Sequence, residues 1–198
     1  MRALWLVAAL VLSGAAPASE SVAYFAGGCF WCTEADFERL DGVTEVVSGY
    51  MGGQLPDPSY EQVSRGGTGH AEAVRVHYDP RRISYRELVA FHWRNIDPTV
   101  EDRQFCDHGS QYRSGIYYRS DAERRIVEAS LETVRERFGV VHTEIAPATT
   151  FYEAETYHQD YAEKNPLRYK FYRFNCGRDA RLQELWGDQA GRLPEDTG

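Results

Sequence analysis

A short apolar run, residues 22–26, leads through Gly27-Gly28 into Cys29-Phe30-Trp31-Cys32, where a helical pattern opens with Phe30, Phe37 and Leu40 on one side. That order constrains the fold first: a buried strand passes into a helix within two glycines, so the chain must build a sheet that carries helices. The same junction places Cys29 at a helix start. Unpaired backbone N–H groups and the positive end of the helix dipole favour a thiolate there, and the thiolate is the reactive species. Cys29 is therefore predicted to be a nucleophile.

The remaining pattern extends the sheet. Helix is predicted over 30–40, a turn at Asp41-Gly42, and a second strand over 43–50. A Gly/Pro-rich stretch, 51–69, is long enough to suggest a functional loop. Residues 71–78 alternate, with Ala71, Ala73, Arg75 and His77 on one face and Glu72, Val74, Val76 and Tyr78 on the other. Glu72 thus falls on an apolar face, which is costly unless its carboxyl is protonated or partnered. Ser84 with Glu87 reads as a capping box for a helix to about residue 95. A strand over 114–119 follows, then a helix capped by Asp121 with Val127, Leu131, Val134 and Phe138 on its buried stripe. A strand near 143–145 and a mostly helical tail complete the pattern. Strand-helix-strand taken twice is the ferredoxin-like split βαβ order, an α+β two-layer sandwich, here with an extra helix and a C-terminal helical or coil extension. In that topology the first and third strands are central neighbours, which would bring Cys29 to Glu72.

Among the 198 residues, the first 18 read apart from the rest: Arg2, an apolar stretch over 3–12, and small residues Ala16-Pro17-Ala18. They are expected to be a secretory signal peptide cut before Ser19, leaving one domain over 19–198, exported to the periplasm and not inserted in the membrane. The full chain carries a net charge of −8, and removing residues 1–18, with one arginine and no acid, leaves −9. An acidic chain without a basic cluster argues against nucleic acid as a partner. A small molecule or a protein side chain is the expected substrate, and a monomer the expected state.

Four cysteines, Cys29, Cys32, Cys106 and Cys176, are few for a disulfide framework in a domain of this size. A CxxC at a helix start is of the redox or metal type, and no second ligand pair supports a metal. Taken alone, these features leave three rival readings. One is a thioredoxin-like thiol-disulfide oxidoreductase using Cys29 and Cys32. Another is a cysteine hydrolase, and the third a secreted scaffold with two bridges.

Three segments carry chemistry: the Cys29 turn, residues 60–72, and residues 106–114. Gly28-Cys29-Phe30-Trp31, Gly49-Tyr50-Met51-Gly52-Gly53, Pro58-Ser59-Tyr60, Gly69-His70-Ala71-Glu72-Ala73-Val74 and Gly109-Ser110-Gln111-Tyr112-Arg113-Ser114 occur in order. Tyr157-His158-Gln159-Asp160-Tyr161 and Lys164-Asn165-Pro166 follow them. Together they resemble the peptide methionine sulfoxide reductases of the A type, over essentially all of 24–186.

The resemblance implies reduction of the S epimer of methionine sulfoxide, free or in proteins, through a sulfenic acid on Cys29. Glu72 would be the protonated acid that polarises the sulfoxide oxygen, aided by the hydroxyls of Tyr60 and Tyr112. Phe30 and Trp31 would wall the methyl pocket, and Asp107 would position the substrate. No bound cofactor is implied; a thioredoxin-like external thiol donor would restore the enzyme. The chain departs from many relatives in carrying Cys32 where they have glycine, and in lacking their Gly-rich tail with recycling cysteines. Cys32, Cys106 and Cys176, in that order, are the candidates for the resolving thiol.

Overall fold

The structure is a computed structural model and describes residues 20–194. Its elements run β1 (Ser21–Gly27), α1 (Phe30–Phe37), β2 (Val43–Met51), α2 (Tyr60–Ser64), β3 (Ala71–Tyr78), α3 (Tyr85–Trp93), β4 (Arg103–Gln104) and β5 (Asp107–His108). There follow β6 (Ser114–Tyr118), α4 (Asp121–Phe138), β7 (Glu144–Pro147), β8 (Tyr152–Glu153), α5 (Tyr161–Lys164), α6 (Pro166–Asn175) and α7 (Arg178–Trp186). The expected signal peptide lies outside the described residues. Among those described, no helix is long and apolar enough to cross a membrane.

Six strands form one sheet in the order β7-β6-β1-β3-β2-β8, and β4 pairs with β5 apart from it. All neighbours in the large sheet are antiparallel except β6 and β7. The fold is thus mixed α+β around a mostly antiparallel sheet. β3 lies between β1 and β2, with Phe25 opposite Val74 and Tyr50 opposite Glu72.

Alternation along β3 sends its residues to two cores. Val74 and Val76 join the larger cluster with Phe37 of α1, Leu88 of α3 and Val127 of α4, while Ala71 and Ala73 join a smaller one with Met51 and Tyr117. Each fully buried aromatic or aliphatic side chain contributes about 1.5–3 kcal/mol, so this double burial fixes the register of β3 and, with it, Glu72.

Several boundaries differ from the sequence-based expectation. α1 stops at Phe37, not 40. The cap of α4 is Ser120, whose hydroxyl accepts from the Glu123 N–H; Asp121 is the first helical residue. The 51–69 stretch is not all loop, because Ser59 and Gln62 form a capping box that starts α2. Nor is the tail a mere extension. Leu182 and Trp186 of α7 complete the larger core, and the Trp186 indole donates to the Ile96 carbonyl at 3.1 Å.

Candidate active site

Cys29 caps α1 with a non-helical backbone and no capping bond from its side chain, while its carbonyl accepts from the Cys32 and Thr33 N–H groups. Gly28 makes the approach possible. Its φ is +82°, and a Cβ there would lie 2.6 Å from Gln104 Cβ. Gln104 cannot give way, because its amide is buried and bonded both ways to the Asp97 backbone at 2.8 Å. Gly28→Ala is therefore expected to cost at least about 2 kcal/mol, from a strained φ and an overpacked site together. Urea denaturation measures it.

The first free N–H of α1 does not serve the cysteine. Phe30 N–H donates to Glu72 Oε2 at 2.9 Å, so the helix start and the third strand are bonded at the Cys29 turn. Glu72 is 2% exposed. Burial pushes its carboxyl up to about 8, against the Phe30 N–H, which pulls it down. The acid is mostly protonated at neutral pH.

Cys29 departs from the helix-start expectation. Burial drives its thiol well above the ordinary range, with Cys32, Glu72 and Asp107 adding to the rise. The low-dielectric surroundings and nearby acids outweigh the helix dipole, so the resting residue is a thiol. Cys32 beside it is held below its ordinary value by a hydrogen bond from Cys29 and by the Arg178 and Arg173 guanidiniums. Both cysteines are free and buried. Cys106 and Cys176 are joined to each other, with Cα atoms 4.9 Å apart. While that bond is closed, neither can attack a sulfenic acid, and the scaffold reading with two bridges loses one of them.

A small cavity of about 80 Å³ opens at this turn. Its lining brings together Cys29, Phe30, Trp31, Tyr60, Glu72, Asp107 and Tyr112, every residue picked out for catalysis or substrate contact, and adds Tyr172. Burial and the neighbouring Glu72 push the Tyr60 phenol up to about 12 and raise Tyr112 further. Both remain proton donors at any ordinary pH. Asp107 is raised by burial and pulled back by a 2.6 Å hydrogen bond from the Tyr172 hydroxyl.

Residues from late in the chain hold the aromatic wall. The Trp31 indole N–H donates to His158 Nδ1 at 3.0 Å, and its ring stacks on Tyr161 with centroids 3.6 Å apart. His158 packs on Tyr60 and Phe30 at 4.3 and 5.0 Å. Glu155 takes the Tyr60 N–H on one oxygen and the Tyr50 hydroxyl on the other, both at 2.9 Å. Gln159 closes three bonds to the Ser48 and Ala154 backbone. The 157–161 segment thus seats the wall, which its sequence alone did not reveal. Tyr172 lines the same cavity, and no motif or periodicity in the sequence points to it.

The arrangement places a buried thiol beside a protonated carboxyl and two phenols, in a space that fits the end of one side chain. That combination suits protonation of an oxygen while sulfur is attacked. Comparisons with known proteins agree. A family model described as peptide methionine sulfoxide reductase matches residues 21–190. Peptide methionine sulfoxide reductase MsrA 2 of Caulobacter vibrioides is 48% identical over 190 residues, covering 93% of this chain and 96% of the relative. Among solved structures, reduced Mxr1 from Saccharomyces cerevisiae superposes with a TM-score of 0.72 at 38% identity, covering 76% of this chain and 88% of that one. Mxr1 in complex with Trx2 gives 0.52 at 28% identity, covering 77% and 91%. The chain belongs to the peptide methionine sulfoxide reductase family and is an oxidoreductase of its A type.

Proposed function

We propose that the protein reduces the S epimer of methionine sulfoxide, free and in proteins, with Cys29 as nucleophile and Glu72 as acid. The observation that carries this reading is the buried, protonated Glu72 in one cavity with Cys29 and the phenols of Tyr60 and Tyr112. A sulfoxide oxygen leaves only once it is protonated, and Glu72 supplies that proton as the Cys29 sulfur bonds to the substrate sulfur. The Cys29 thiol gives up its proton as it attacks, the protonated oxygen passes to the cysteine sulfur, and the S–S bond breaks, leaving a sulfenic acid on Cys29 and a thioether. Phe30 and Trp31 wall the methyl group, and Asp107 positions the substrate.

Cys32 is the resolving thiol in this scheme. It condenses with the sulfenic acid, releasing water and forming a Cys29–Cys32 disulfide; its support is that it is the free thiol hydrogen-bonded to Cys29. A thioredoxin-type dithiol then takes up the oxidation and returns both thiols, as the Mxr1–Trx2 neighbour suggests. The electrons come from this external donor, and no resident cofactor is invoked.

Export to the periplasm, with cleavage before Ser19, is supported by Arg2, the apolar 3–12 stretch and Ala16-Pro17-Ala18. One domain over 19–198 is supported by α7 and β1 sharing a core. The split βαβ reading of the inner sheet is supported by the order β6-β1-β3-β2 with antiparallel neighbours.

The test is turnover of the separated epimers with dithiothreitol. The S epimer is expected to be reduced, the R epimer to remain, and Cys29→Ser to fall to background. Equal use of both epimers would overturn the stereochemical assignment. Activity surviving in Cys29→Ser would overturn the nucleophile.

A further inference from the structure

α6 lies against the site with little surface of its own to hold it. None of its residues is buried, and Leu167, Phe171 and Phe174 are all exposed. Arg173 ties it to Asp36 at 2.9 Å and to Asp179 at 2.7 Å. Two further ties join α6 to the segment at Asp107. One is the 2.6 Å bond from the Tyr172 hydroxyl to Asp107 Oδ2; the other is the Cys106–Cys176 disulfide. Cys106 immediately precedes Asp107, and Cys176 follows Tyr172 by four residues, on the same side of the helix. Cys176 Sγ lies 3.9 Å from the very Asp107 oxygen that Tyr172 engages. The covalent link and the hydrogen bond therefore span one gap.

Tyr172 occupies that gap as part of the cavity wall. Its hydroxyl is hydrogen-bonded with Cys29 as well as Asp107, and its ring meets the edge of Trp31 at 6.0 Å and 79°. We propose that Tyr172 is a positioning residue for sulfoxide reduction and that the Cys106–Cys176 disulfide holds it in the site. This rests on the reductase reading above. With the disulfide closed, the tyrosine orients the Asp107 carboxyl and completes the wall over Cys29. With the disulfide open, α6 loses its one covalent tie to the Asp107 segment among the described residues and rests on the Arg173 ion pairs and the polar and edge contacts of Tyr172, so the cavity can lose that wall to solvent. Local opening of this kind is expected where few apolar contacts hold an element.

The first turnover isolates the effect, because it consumes only the Cys29 thiol and precedes any recycling. Methionine formed from S-methionine sulfoxide, with no reductant present, would be timed in four proteins: wild type with two titratable thiols, Tyr172→Phe, Cys106→Ala/Cys176→Ala, and the triple variant. Tyr172→Phe and the double cysteine variant are each expected to lose about tenfold in rate over half-saturating substrate, chiefly through weaker half-saturation. The triple variant is expected to lose about tenfold again in total, not a hundredfold, because both changes remove one device. Wild type reduced to four thiols and freed of reductant repeats the opened state without substitution and should match the double variant. A double variant and a four-thiol wild type as fast as the two-thiol enzyme would overturn the proposal, as would losses that multiply. A wild type that forms no methionine would instead overturn the reductase reading, so the two failures are distinct.

Discussion

Glu72→Gln is expected to lower kcat by between about 10²- and 10⁴-fold, the range for removing a general acid, while making the protein more stable in alkali. Glutamine keeps the shape and still accepts the Phe30 N–H bond, but it has no proton to give at neutral pH. The stability effect follows from the direction of the shift. The folded carboxyl is raised from 4.5 to about 8, so the folded state binds the extra proton between those values. Stability is full below about 4.5, falls as pH rises through the window, and is lowest above 8. A gap of that size corresponds to roughly 3–5 kcal/mol at most. The variant, which has nothing to ionise there, should unfold at higher urea than wild type at pH 9 and lose that advantage at pH 4.5. Equal midpoints at pH 9 would show that Glu72 is not held protonated, and undiminished kcat would show that it is not the acid. Wild-type kcat/KM should likewise fall above about pH 8 as the acid ionises.

Arg178→Leu should unfold the protein more than any surface change. The guanidinium is 2% exposed and donates to the Gly27 carbonyl at 3.0 Å and the Asn95 carbonyl at 2.9 Å. It also lies 3.6 Å from buried Asp36 and over the Phe105 ring at 4.5 Å. Leucine leaves two buried carbonyls without donors and weakens the neutralisation of a buried carboxylate. The expected loss is about 3–5 kcal/mol. Arg135→Leu, which breaks a surface pair with Glu132, should cost less than about 1 kcal/mol. Urea midpoints of the two variants, measured side by side, decide it. Because Gly27 stands two residues before Cys29, the same substitution should loosen the Cys29 turn, so activity should fall at temperatures where the variant is still folded. Lysine cannot reach both carbonyls and should not rescue it.

The chemistry at the strand–helix junction was legible because it is local. The two glycines, the cysteine and the alternation around Glu72 lie within single elements, and each obeys a short-range rule. The capping box at Ser84 and Glu87 formed where the pattern placed it; the equivalent pair at Ser59 and Gln62 carried the same signal within a loop-like composition. What escaped depends on distant chain. Tyr172 reaches the site from a helix with no buried face, held there by a disulfide whose pairing spacing cannot reveal. Glu155 and His158 act through Tyr60 and Trp31 from positions that show no periodic signal. The acidity of Cys29 was misjudged for the same reason: the helix end is local, but the burial that overrides it comes from the whole fold.

A neutral carboxylic acid beside the thiol at physiological pH is open to direct observation by infrared difference spectroscopy. The protonated C=O stretch of Glu72, isolated by subtracting the Glu72→Gln spectrum, should be present at pH 6.5 and titrate away with a midpoint near 8. A carboxylate band already complete at pH 6.5 would contradict the account.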